Sequence, residues 1–571
     1  MTLEFARSLR VEPGTNPRGE QADTSWLFLL PSLDVDEAVV AGTAPAGTMV
    51  ALAGVSRRLR IVLPARAMRR RLSRLERSGR LAVTISSDPV EDASDPPDLV
   101  YLDPGVAARF AADESAVLWL ASVLAANGAV YIAPGGRGGR RAAYALVREL
   151  GVDVAVRVGL SGADGDASAP PQGVCAAWLI PASPPPPPRW AQPVFRAARL
   201  VRRLASRLLP GDARAAAAGR VSDPQRSLGV AGIGALDAQL PRGLGVLVRA
   251  TPEEAVGELP GYVTETARAA GVPVTPAGWR LAPPRGYRSQ KVIFFVRRVE
   301  GPDLVVKLTQ DERFNHMLEN EARALGALEE EDLGTALTPP GVAFHAHHGR
   351  LLIVGEDAVV GGPFVDVAEP GPESPQALAV VRTLTEIGAR TRRPGDGVAE
   401  ALLDVVAAYA RIYSPPAAVD GALKRAARLL GGLGAGLPTV FMHGDATVYN
   451  TLVDARGRIG LVDWENAEST GLPLWDLLHF LHSHESWTAE RAGLRYTPMH
   501  LRRELEESAP DSPRGEAIES YRAAVRVPAE ALRPLTYTWL ARHAVRQARE
   551  LPARRLESGF YHRLLAQLLM P

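Results

Sequence analysis

The chain has 571 residues, of which 46% are hydrophobic and 23% are charged. This balance is typical of globular proteins and excludes wholesale disorder, and the length predicts about three or four domains. The 65 lysines and arginines nearly cancel the 64 aspartates and glutamates, so no overall charge would attract nucleic acid. The single cysteine, Cys175, excludes an internal disulfide and favours a reducing compartment.

The N-terminus carries charges throughout its first twenty residues and shows no apolar stretch typical of a secretory signal. An uncharged window at 115–136 has enough residues to span a bilayer. The turn dipeptide Asn127-Gly128, however, divides this window into a helical half and a strand-like half. The sequence therefore predicts a cytoplasmic protein without a transmembrane segment.

Strand-like apolar runs alternate with helical stretches between residues 23 and 160, which is the pattern of a parallel α/β sheet. A loop at 42–47 and a helix at 48–53 follow the first strand. The predicted strands are 38–41, 60–63, 81–85, 98–103 and 130–133. We therefore predict a Rossmann-like α/β domain over residues 1–180.

A Pro-rich linker with a basic helix is predicted for residues 181–258. The five prolines at 184–188 favour a stiff polyproline II spacer. Residues 189–209 carry six arginines and no acid, with apolar residues at helical spacing, so they predict a basic amphipathic helix. Packing against a neighbouring domain is the default interpretation, and peripheral contact with an anionic membrane or a lipid-linked substrate is the alternative.

The remaining residues predict an α+β fold of two lobes, a small β-rich lobe at 259–360 and a large helical lobe at 361–571. The first lobe shows helices at 262–270 and 312–328, and strands at 291–299, 303–309 and 350–354. Helical patterns dominate the second lobe, which is interrupted once by a β-hairpin between Thr439 and Asp463.

That hairpin carries the residues whose chemistry is most specific. In an antiparallel hairpin, the residue entering the first strand lies beside the residue leaving the second, which brings Asn450 and Asp463 together. An amide oxygen and a carboxylate on one rim suit Mg²⁺ beside nucleotide phosphates. Asp445, five positions before Asn450, can accept the proton of an attacking hydroxyl group.

At these residues the chain resembles the aminoglycoside phosphotransferase and choline kinase family, the small-molecule branch of the protein-kinase-like fold. The resemblance covers roughly residues 260–480. It rests on His443-Gly444-Asp445 with Asn450, on Asp463-Trp464-Glu465, and on Pro473 with Asp476-Leu477. It implies that Asp445 is the catalytic base and that Asn450 and Asp463 are magnesium ligands, while His443 is expected to orient the loop by hydrogen bonding.

Residues before the hairpin fit the same resemblance. Lys307 lies inside the hydrophobic strand 303–309, where a lysine is costly unless it is paired. Glu321 is the predicted partner, with Glu319 as the competing choice, because kinase-like folds use a strand lysine and a helix glutamate to hold the α- and β-phosphates of ATP.

Two more segments would bind the nucleotide according to the resemblance. Gly286 and Ser289 lie in a loop that would cover the phosphates, although this loop has only one glycine. Glu356 and Ala358 stand at the family's hinge, whose backbone would hydrogen-bond adenine. These positions complete the predicted ATP site.

The N-terminal sheet resembles class I S-adenosylmethionine-dependent methyltransferases over roughly residues 25–135. The loop at 42–47 stands where that family carries its glycine-rich cofactor loop. Leu63-Pro64 stands where an acid should bind the ribose hydroxyls, so S-adenosylmethionine (SAM) is a doubtful cofactor. A degenerate domain kept for scaffolding is favoured over methylation and over binding of another ligand.

Two groups of histidines invite assignment as metal sites, and both are better explained otherwise. The first group is predicted in the polar turn of a hairpin: His345, His347 and His348. The second lies on one predicted helix, where core or cleft-lining roles outweigh metal binding: His479, His482 and His484.

We therefore predict an ATP- and Mg²⁺-dependent phosphotransferase that acts on a hydroxyl of a small molecule. Residues 369–440 contain seven acids and eight bases, which disfavours an aminoglycoside polycation as the acceptor and leaves sugars, amino alcohols and natural-product intermediates open. Two alternatives remain: a SAM-binding, methyltransferase-like protein with a regulatory or inactive kinase-like domain, and a non-catalytic scaffold.

Overall fold

The computed structural model describes residues 27–62, 83–86, 96–133, 146, 150, 154–158, 175–181, 244–250, 259–281, 291–331, 333, 337, 339–395, 398–507, 512–548 and 553–570, except positions 29, 31, 127, 277, 278, 311 and 372. The chain divides into two compact units. The first comprises Met1–Asn315 with Ala343–Gly355, and the second comprises His316–Val342 with Glu356–Pro571.

A sheet of eight strands belongs to the first unit. Its strands are β1 Val35–Ala41, β2 Ser56–Val62, β3 Val83–Ser86, β4 Leu99–Leu102, β5 Ala129–Ile132, β6 Val154–Val158, β7 Cys175–Pro181 and β8 Leu244–Ala250. They lie in the order β3-β2-β1-β4-β5-β8-β7-β6, and only β8 runs antiparallel to its neighbours in the pairs described.

Helices connect the strands of this sheet: α1 Ala46–Val55, α2 Pro104–Phe110 and α3 Glu114–Ala125. The alternation predicted for residues 23–160 is therefore present as a parallel α/β sheet. Its central strands β4 and β5 are buried along their whole length, which explains why they consist of uninterrupted apolar runs in the sequence.

Strand β8 corrects the predicted extent of the linker. It lies inside the segment 181–258, yet all seven of its residues pair with β7 and four of them also pair with β5. The small residues around it hide the apolar run, so the sheet draws on residues beyond the predicted domain end at 180. The prolines at 184–188 and the basic stretch at 189–209 lie outside the described residues.

A second sheet, of five strands, completes the described part of the first unit. Helix α4 Gly261–Ala269 precedes it. Its strands are β9 Arg280–Leu281, β10 Lys291–Val296, β11 Leu304–Thr309, β12 Val342–His348 and β13 Leu351–Asp357. They lie in the order β12-β13-β11-β10-β9.

The two sheets of the first unit share one hydrophobic core. This core joins Val40 of the first sheet to Phe294 and Ile353 of the second. Tyr262 of α4 is buried within it, and its hydroxyl donates to the Phe28 carbonyl at 2.8 Å. Because burial of apolar surface is the main favourable term in folding, each sheet stabilises the other.

Helices make up most of the second unit. They are α5 Asn315–Glu329, α6 Phe364–Val367, α7 Pro375–Arg390, α8 Val398–Tyr413, α9 Ala417–Gly432, α10 Trp475–Arg491, α11 Pro498–Glu507, α12 Pro513–Val525, α13 Leu532–Ala548 and α14 Phe560–Leu569. Short strands form two small sheets: β14 Gly362–Pro363, β15 Val440–Met442, β16 Thr451–Val453, β17 Ile459–Leu461 and β18 Glu468–Gly471. Within the part of the chain that the structure describes, no helix has the length and apolarity needed to cross a membrane.

Strands β16 and β17 form the hairpin predicted between residues 439 and 463. Its turn contains Gly457, whose φ is +75°. Asp454 Oδ1 accepts hydrogen bonds from the backbone N–H groups of Arg456 and Arg458, each at 2.8 Å. The strands contribute Leu461 and other apolar residues to a core shared with α5, α7 and α10, and this packing fixes the open end of the hairpin.

Candidate functional site

The open end of the hairpin places two oxygen-bearing residues on neighbouring arms. The pair Thr451–Leu461 ends the ladder, and one step further the Val462 N–H donates to the Asn450 carbonyl at 3.0 Å. Asp463 follows directly, with φ +74° and ψ 60°. A left-handed conformation is uncommon for a residue other than glycine and often accompanies a functional role.

Asp445 lies on the loop before the hairpin and contacts three side chains. Asn450 Nδ2 donates to the Asp445 carbonyl at 3.0 Å and to its Oδ2 at 3.1 Å. On the other oxygen, Oδ1 lies 3.2 Å from His479 Nε2 and 3.5 Å from Arg546 Nη2. The Asp445 side chain nevertheless keeps 30% of its surface exposed, so a small molecule can reach it.

These contacts decide the charge of Asp445. Burial alone would raise the pKa of its carboxyl group, but the hydrogen bond from His479 and the positive charge of Arg546 outweigh burial and hold the pKa well below its usual range. Asp445 is therefore a carboxylate at neutral pH, as an acceptor for a hydroxyl proton must be.

Gly444 lets the loop approach its neighbour closely. Its φ is +78°, and a Cβ at this position would lie 2.1 Å from the Asn466 carbonyl oxygen. The carboxylate of Asp476 accepts from the His443 N–H at 2.6 Å and from the Gly444 N–H at 2.9 Å. Asp476 thus fixes the loop backbone independently of the side chains of Asp445, Asn450 and Asp463.

His443 connects the loop to the hairpin. The Asp445 N–H donates to His443 Nδ1 at 3.2 Å, so the ring hydrogen belongs on Nε2, which lies 3.1 Å from the Val462 carbonyl. The ring also packs on Trp464, with 4.4 Å between centroids. These contacts agree with the predicted role of His443 in orienting the loop.

Glu321 of α5 reaches the segment after Asp463. It is fully buried, and its Oε1 accepts from the Trp464 N–H at 2.8 Å. The adjacent Asn320 donates to the carbonyls of Glu465 and Ala467. Sequence reasoning assigned Glu321 only to Lys307, and it missed this support of the Asp463-Trp464-Glu465 segment.

The other predicted nucleotide residues fall into two groups. Lys307 on β11 and Glu356 at the end of β13 are buried, with 4% and 3% of their surfaces exposed, and Ala358 follows β13. Gly286 and Ser289 lie outside the described residues. The pairing of Lys307 with Glu321 and the contacts with ATP stay predictions.

Only the first histidine group differs from expectation. The first group lies in strand β12 and not in the turn, which Gly349 and Arg350 form. The second group lies on α10 as predicted, and His479 contacts Asp445. A sequence signal for this contact exists, because His479 is three residues after Asp476, on the same helix face. Among the described residues, no group of three or more His, Cys, Asp or Glu side chains is placed to hold a metal.

The donor atoms at the hairpin fit a magnesium ion that keeps several waters. Both hydrogen bonds of Asn450 Nδ2 go to Asp445, so its Oδ1 is the amide atom left to face a cation. Asp463 adds a carboxylate on the next arm. In nucleotide sites, Mg²⁺ usually binds only a few protein oxygens, together with phosphate oxygens and water.

Comparison with solved structures finds several proteins of low sequence identity. The macrolide 2'-phosphotransferase MphH from Brachybacterium faecium is 17% identical, with a TM-score of 0.36 over 54% of this chain and 98% of that chain. The bifunctional kinase-methyltransferase WbdD is 12% identical, with a TM-score of 0.25 over 96% of this chain and 91% of that chain. These scores are too low to support an argument about fold or function.

A family model gives the informative match. No curated protein matches the chain. Residues 281–515, however, match the model described as the phosphotransferase enzyme family, APH, and this range contains the whole hairpin with its flanking motifs. The resemblance predicted for the C-terminal part of the chain is therefore confirmed: this region is similar to the phosphotransferase enzyme family.

Proposed function

We propose that this protein is an ATP- and Mg²⁺-dependent phosphotransferase that acts on a hydroxyl group of a small molecule. The observation that carries the proposal is the Asp445 carboxylate, held 3.1 Å from Asn450 Nδ2 beside the hairpin arm that ends in Asp463. The match of residues 281–515 to phosphotransferases supports the same conclusion independently of this geometry.

Each residue of the site has a proposed role. Asn450 and Asp463 would hold Mg²⁺, which when bound neutralises charge on the ATP phosphates. Lys307, fixed by Glu321, would orient those phosphates. The loop with Gly286 and Ser289 would cover them, and the backbone at Glu356 and Ala358 would bind adenine.

Asp445 would orient the acceptor hydroxyl and receive its proton. In the transfer, the acceptor oxygen forms a bond to the γ-phosphorus while the bond from that phosphorus to the β,γ-bridging oxygen breaks. The products are a phosphate ester and ADP, and the hydroxyl proton passes to Asp445 and then to solvent. Because its pKa is depressed, Asp445 is a weak base, and positioning supplies most of its contribution.

The charges around Asp445 restrict the acceptor. Arg546 and His479 both face its carboxylate, so a polycationic acceptor would meet a positive neighbour beside the reacting group. This agrees with the balance of acids and bases in residues 369–440. We therefore propose a sugar, an amino alcohol or a natural-product intermediate as the acceptor.

The N-terminal sheet is proposed to act as a scaffold domain. The position of a Cβ at Gly42 is occupied, since it would lie 2.6 Å from Asp103 Cβ and 2.7 Å from Val106 Cγ2. Leu63-Pro64, which follow the second strand in sequence, lie outside the described residues. Binding of S-adenosylmethionine stays a doubtful prediction, and the proposed domains are 1–180 with the added strand β8, the linker, and lobes at 259–360 and 361–571.

The test is transfer of radiolabelled γ-phosphate from ATP, with Mg²⁺, to a panel of hydroxyl compounds by the full-length chain. Asp445→Asn and Asp463→Asn are expected to lower the rate by roughly 1,000-fold or more while each variant keeps a cooperative thermal unfolding transition. Asp404→Asn, an exposed change on α8, is the matched control and should keep the wild-type rate.

Retained transfer by either site variant would overturn the assignment. Tight binding of S-adenosylmethionine without any phosphate transfer would favour the methyltransferase-like alternative. The absence of a thermal shift with MgATP would favour a non-catalytic scaffold.

A further inference from the structure

One oxygen of Asp445 is engaged more fully than the other. Oδ1 faces two donors, His479 Nε2 and Arg546 Nη2, whereas Oδ2 faces one, Asn450 Nδ2. A carboxylate oxygen offers about two acceptor directions. Oδ1 is therefore engaged by a hydrogen bond from His479 and an ion pair with Arg546, whereas Oδ2 keeps one acceptor direction for a ligand.

Stacking on a neighbouring ring fixes the position of His479. Only 8% of its surface is exposed, and its ring stacks on His543 with 4.2 Å between centroids and 22° between planes. Burial holds the pKa of His543 well below its usual value, so the partner ring is neutral. The stack can therefore fix the orientation of His479 without repulsion between two charged rings.

The hydrogen-bond partners of His479 also select its tautomer. Its Nδ1 is buried and has no hydrogen-bond partner among the residues that the structure describes, and a hydrogen on that atom would be left unsatisfied at considerable cost. The ring hydrogen therefore belongs on Nε2, which points at Asp445 Oδ1. His479 is in this way a fixed donor to the carboxylate.

Arg546 binds the same loop at two points. Its Nη1 donates to the Gly444 carbonyl and its Nη2 lies 3.5 Å from Asp445 Oδ1. The planar guanidinium has a rigid donor geometry, so it sets the distance between the loop backbone and the carboxylate. Arg546 comes from α13, while His479 comes from α10, and Oδ1 is held from two helices.

We propose that His479 and Arg546 are positioning residues that hold Asp445 Oδ1, so that Oδ2 is presented to the acceptor hydroxyl. This inference rests on the proposed function. The loop backbone has separate supports in Asp476 and His443, so loss of the donor at His479 should rotate the carboxylate and leave the loop in place. We therefore expect loss of this donor to lower the catalytic rate and to leave nucleotide affinity unchanged.

The test compares His479→Phe with His479→Gln in the full-length chain. Phenylalanine keeps a ring for the stack but removes the donor, whereas glutamine places an N–H near the position of Nε2. The probe is MgATP with water as the acceptor, followed as ADP release, together with the affinity for a fluorescent ADP. His482→Phe is the control, because His482 is buried on the same helix and, among the described residues, forms no hydrogen bond or ion pair with Asp445.

We expect His479→Phe to slow ADP release about 10- to 100-fold, with nucleotide affinity within about twofold of wild type. His479→Gln should recover most of the rate, and His482→Phe should keep it. Arg546→Met provides a second test, since Arg546 is partly exposed, and it should slow release to a similar extent.

Three outcomes would overturn the inference while the proposed function stands: a wild-type rate in both His479→Phe and Arg546→Met, equal loss in His479→Phe and His479→Gln, or loss through nucleotide affinity alone. A wild-type chain that neither releases ADP nor phosphorylates any panel compound would overturn the proposed function, and this inference with it.

Discussion

The loops at Gly42 and Gly444 follow buried strands, and both turn on a glycine with a positive φ, +94° and +78° respectively. A Cβ at Gly42 would meet the side chains of Asp103 and Val106, and one at Gly444 would meet the Asn466 carbonyl. Both glycines thus permit a close approach that another residue would prevent. Glycine alone does not distinguish a functional loop from a packed one.

The aspartates beside the two loops differ. Asp103 accepts from the Gly105 N–H at 2.8 Å and caps α2, which is a structural task. Asp445 contacts Asn450, His479 and Arg546, which come from three different elements. The candidate site is therefore indicated by polar side chains that converge from separate elements. The glycine turn is a weaker indication.

Between the two glycines, the larger effect on phosphate transfer is expected from Gly444→Ala. The new Cβ would collide with backbone and would require a φ that L-residues rarely adopt, so the loop must move and carry Asp445 with it. A shift of about 1 Å at a reacting group costs on the order of 100-fold in rate. The measurement is phosphate transfer from MgATP, with Gly432→Ala as the control, because no atom lies within 4 Å of its Cβ position. An unchanged rate in Gly444→Ala would show that the two loops are equivalent.

Gly42→Ala should affect stability and leave the chemistry intact. The clash and the positive φ together should cost about 2 kcal/mol of unfolding free energy, measured by urea denaturation. Gly271→Ala, which has φ +73° and no neighbour within 4 Å, isolates the cost of φ alone. If transfer per folded molecule fell in Gly42→Ala, the first loop would have a functional role after all.

The helix behind Asp445 should make stability depend on pH. Burial lowers the pKa of His482 to about 3, and the positive charge of Arg514 acts in the same direction. A histidine with a lowered folded-state pKa adds stability above its usual pKa near 6.5, and this stability is lost as the pH falls below that value. At pH 5 the loss should be about 2 kcal/mol relative to neutral pH.

His482→Phe removes that titrating group, so the free energy of unfolding should fall less between pH 7.5 and pH 5 than in the wild type. His345→Phe changes an exposed histidine and should keep the wild-type slope. Equal slopes in His482→Phe and the wild type would contradict the buried, neutral assignment. This measurement tests the helix behind the second loop and does not involve the first loop.

The smallest effect is expected at Asp103. Asp103→Ser keeps a capping oxygen and should be nearly neutral, whereas Asp103→Ala should cost about 1 kcal/mol of unfolding free energy. The midpoint of thermal unfolding distinguishes them, with phosphate transfer unchanged in both. A loss of transfer in Asp103→Ser would mean that this carboxylate has a task beyond capping.

Local patterns predicted the hairpin and its loop well. Ladder pairing within a hairpin fixes which residues become neighbours, so Asn450 and Asp463 could be placed on adjacent arms from spacing alone. The strands of the parallel sheet were also accessible, because buried strands read as continuous apolar runs. These features depend on a few neighbouring residues.

Contacts between distant helices could not be predicted in this way. His479 lies 34 residues after Asp445, and Arg546 lies 102 residues after Gly444. Their approach depends on how α10 and α13 pack in the core of the second unit. The contact of Glu321 with Trp464 was missed for the same reason, and β8 was missed because its pairing partners lie far away in sequence.

The buried Tyr262 has a practical consequence for experiments on fragments. A fragment trimmed to the matched region, 281–515, would lose Tyr262, Trp279 and every apolar residue of the first sheet that covers Phe294. The second sheet of the fragment would then expose an apolar face to water, and exposed apolar faces promote aggregation. Poor solubility of a trimmed fragment would then have two sources: the missing cover on this sheet, and the loss of residues 516–571, which carry Trp539 and other core residues of the second unit.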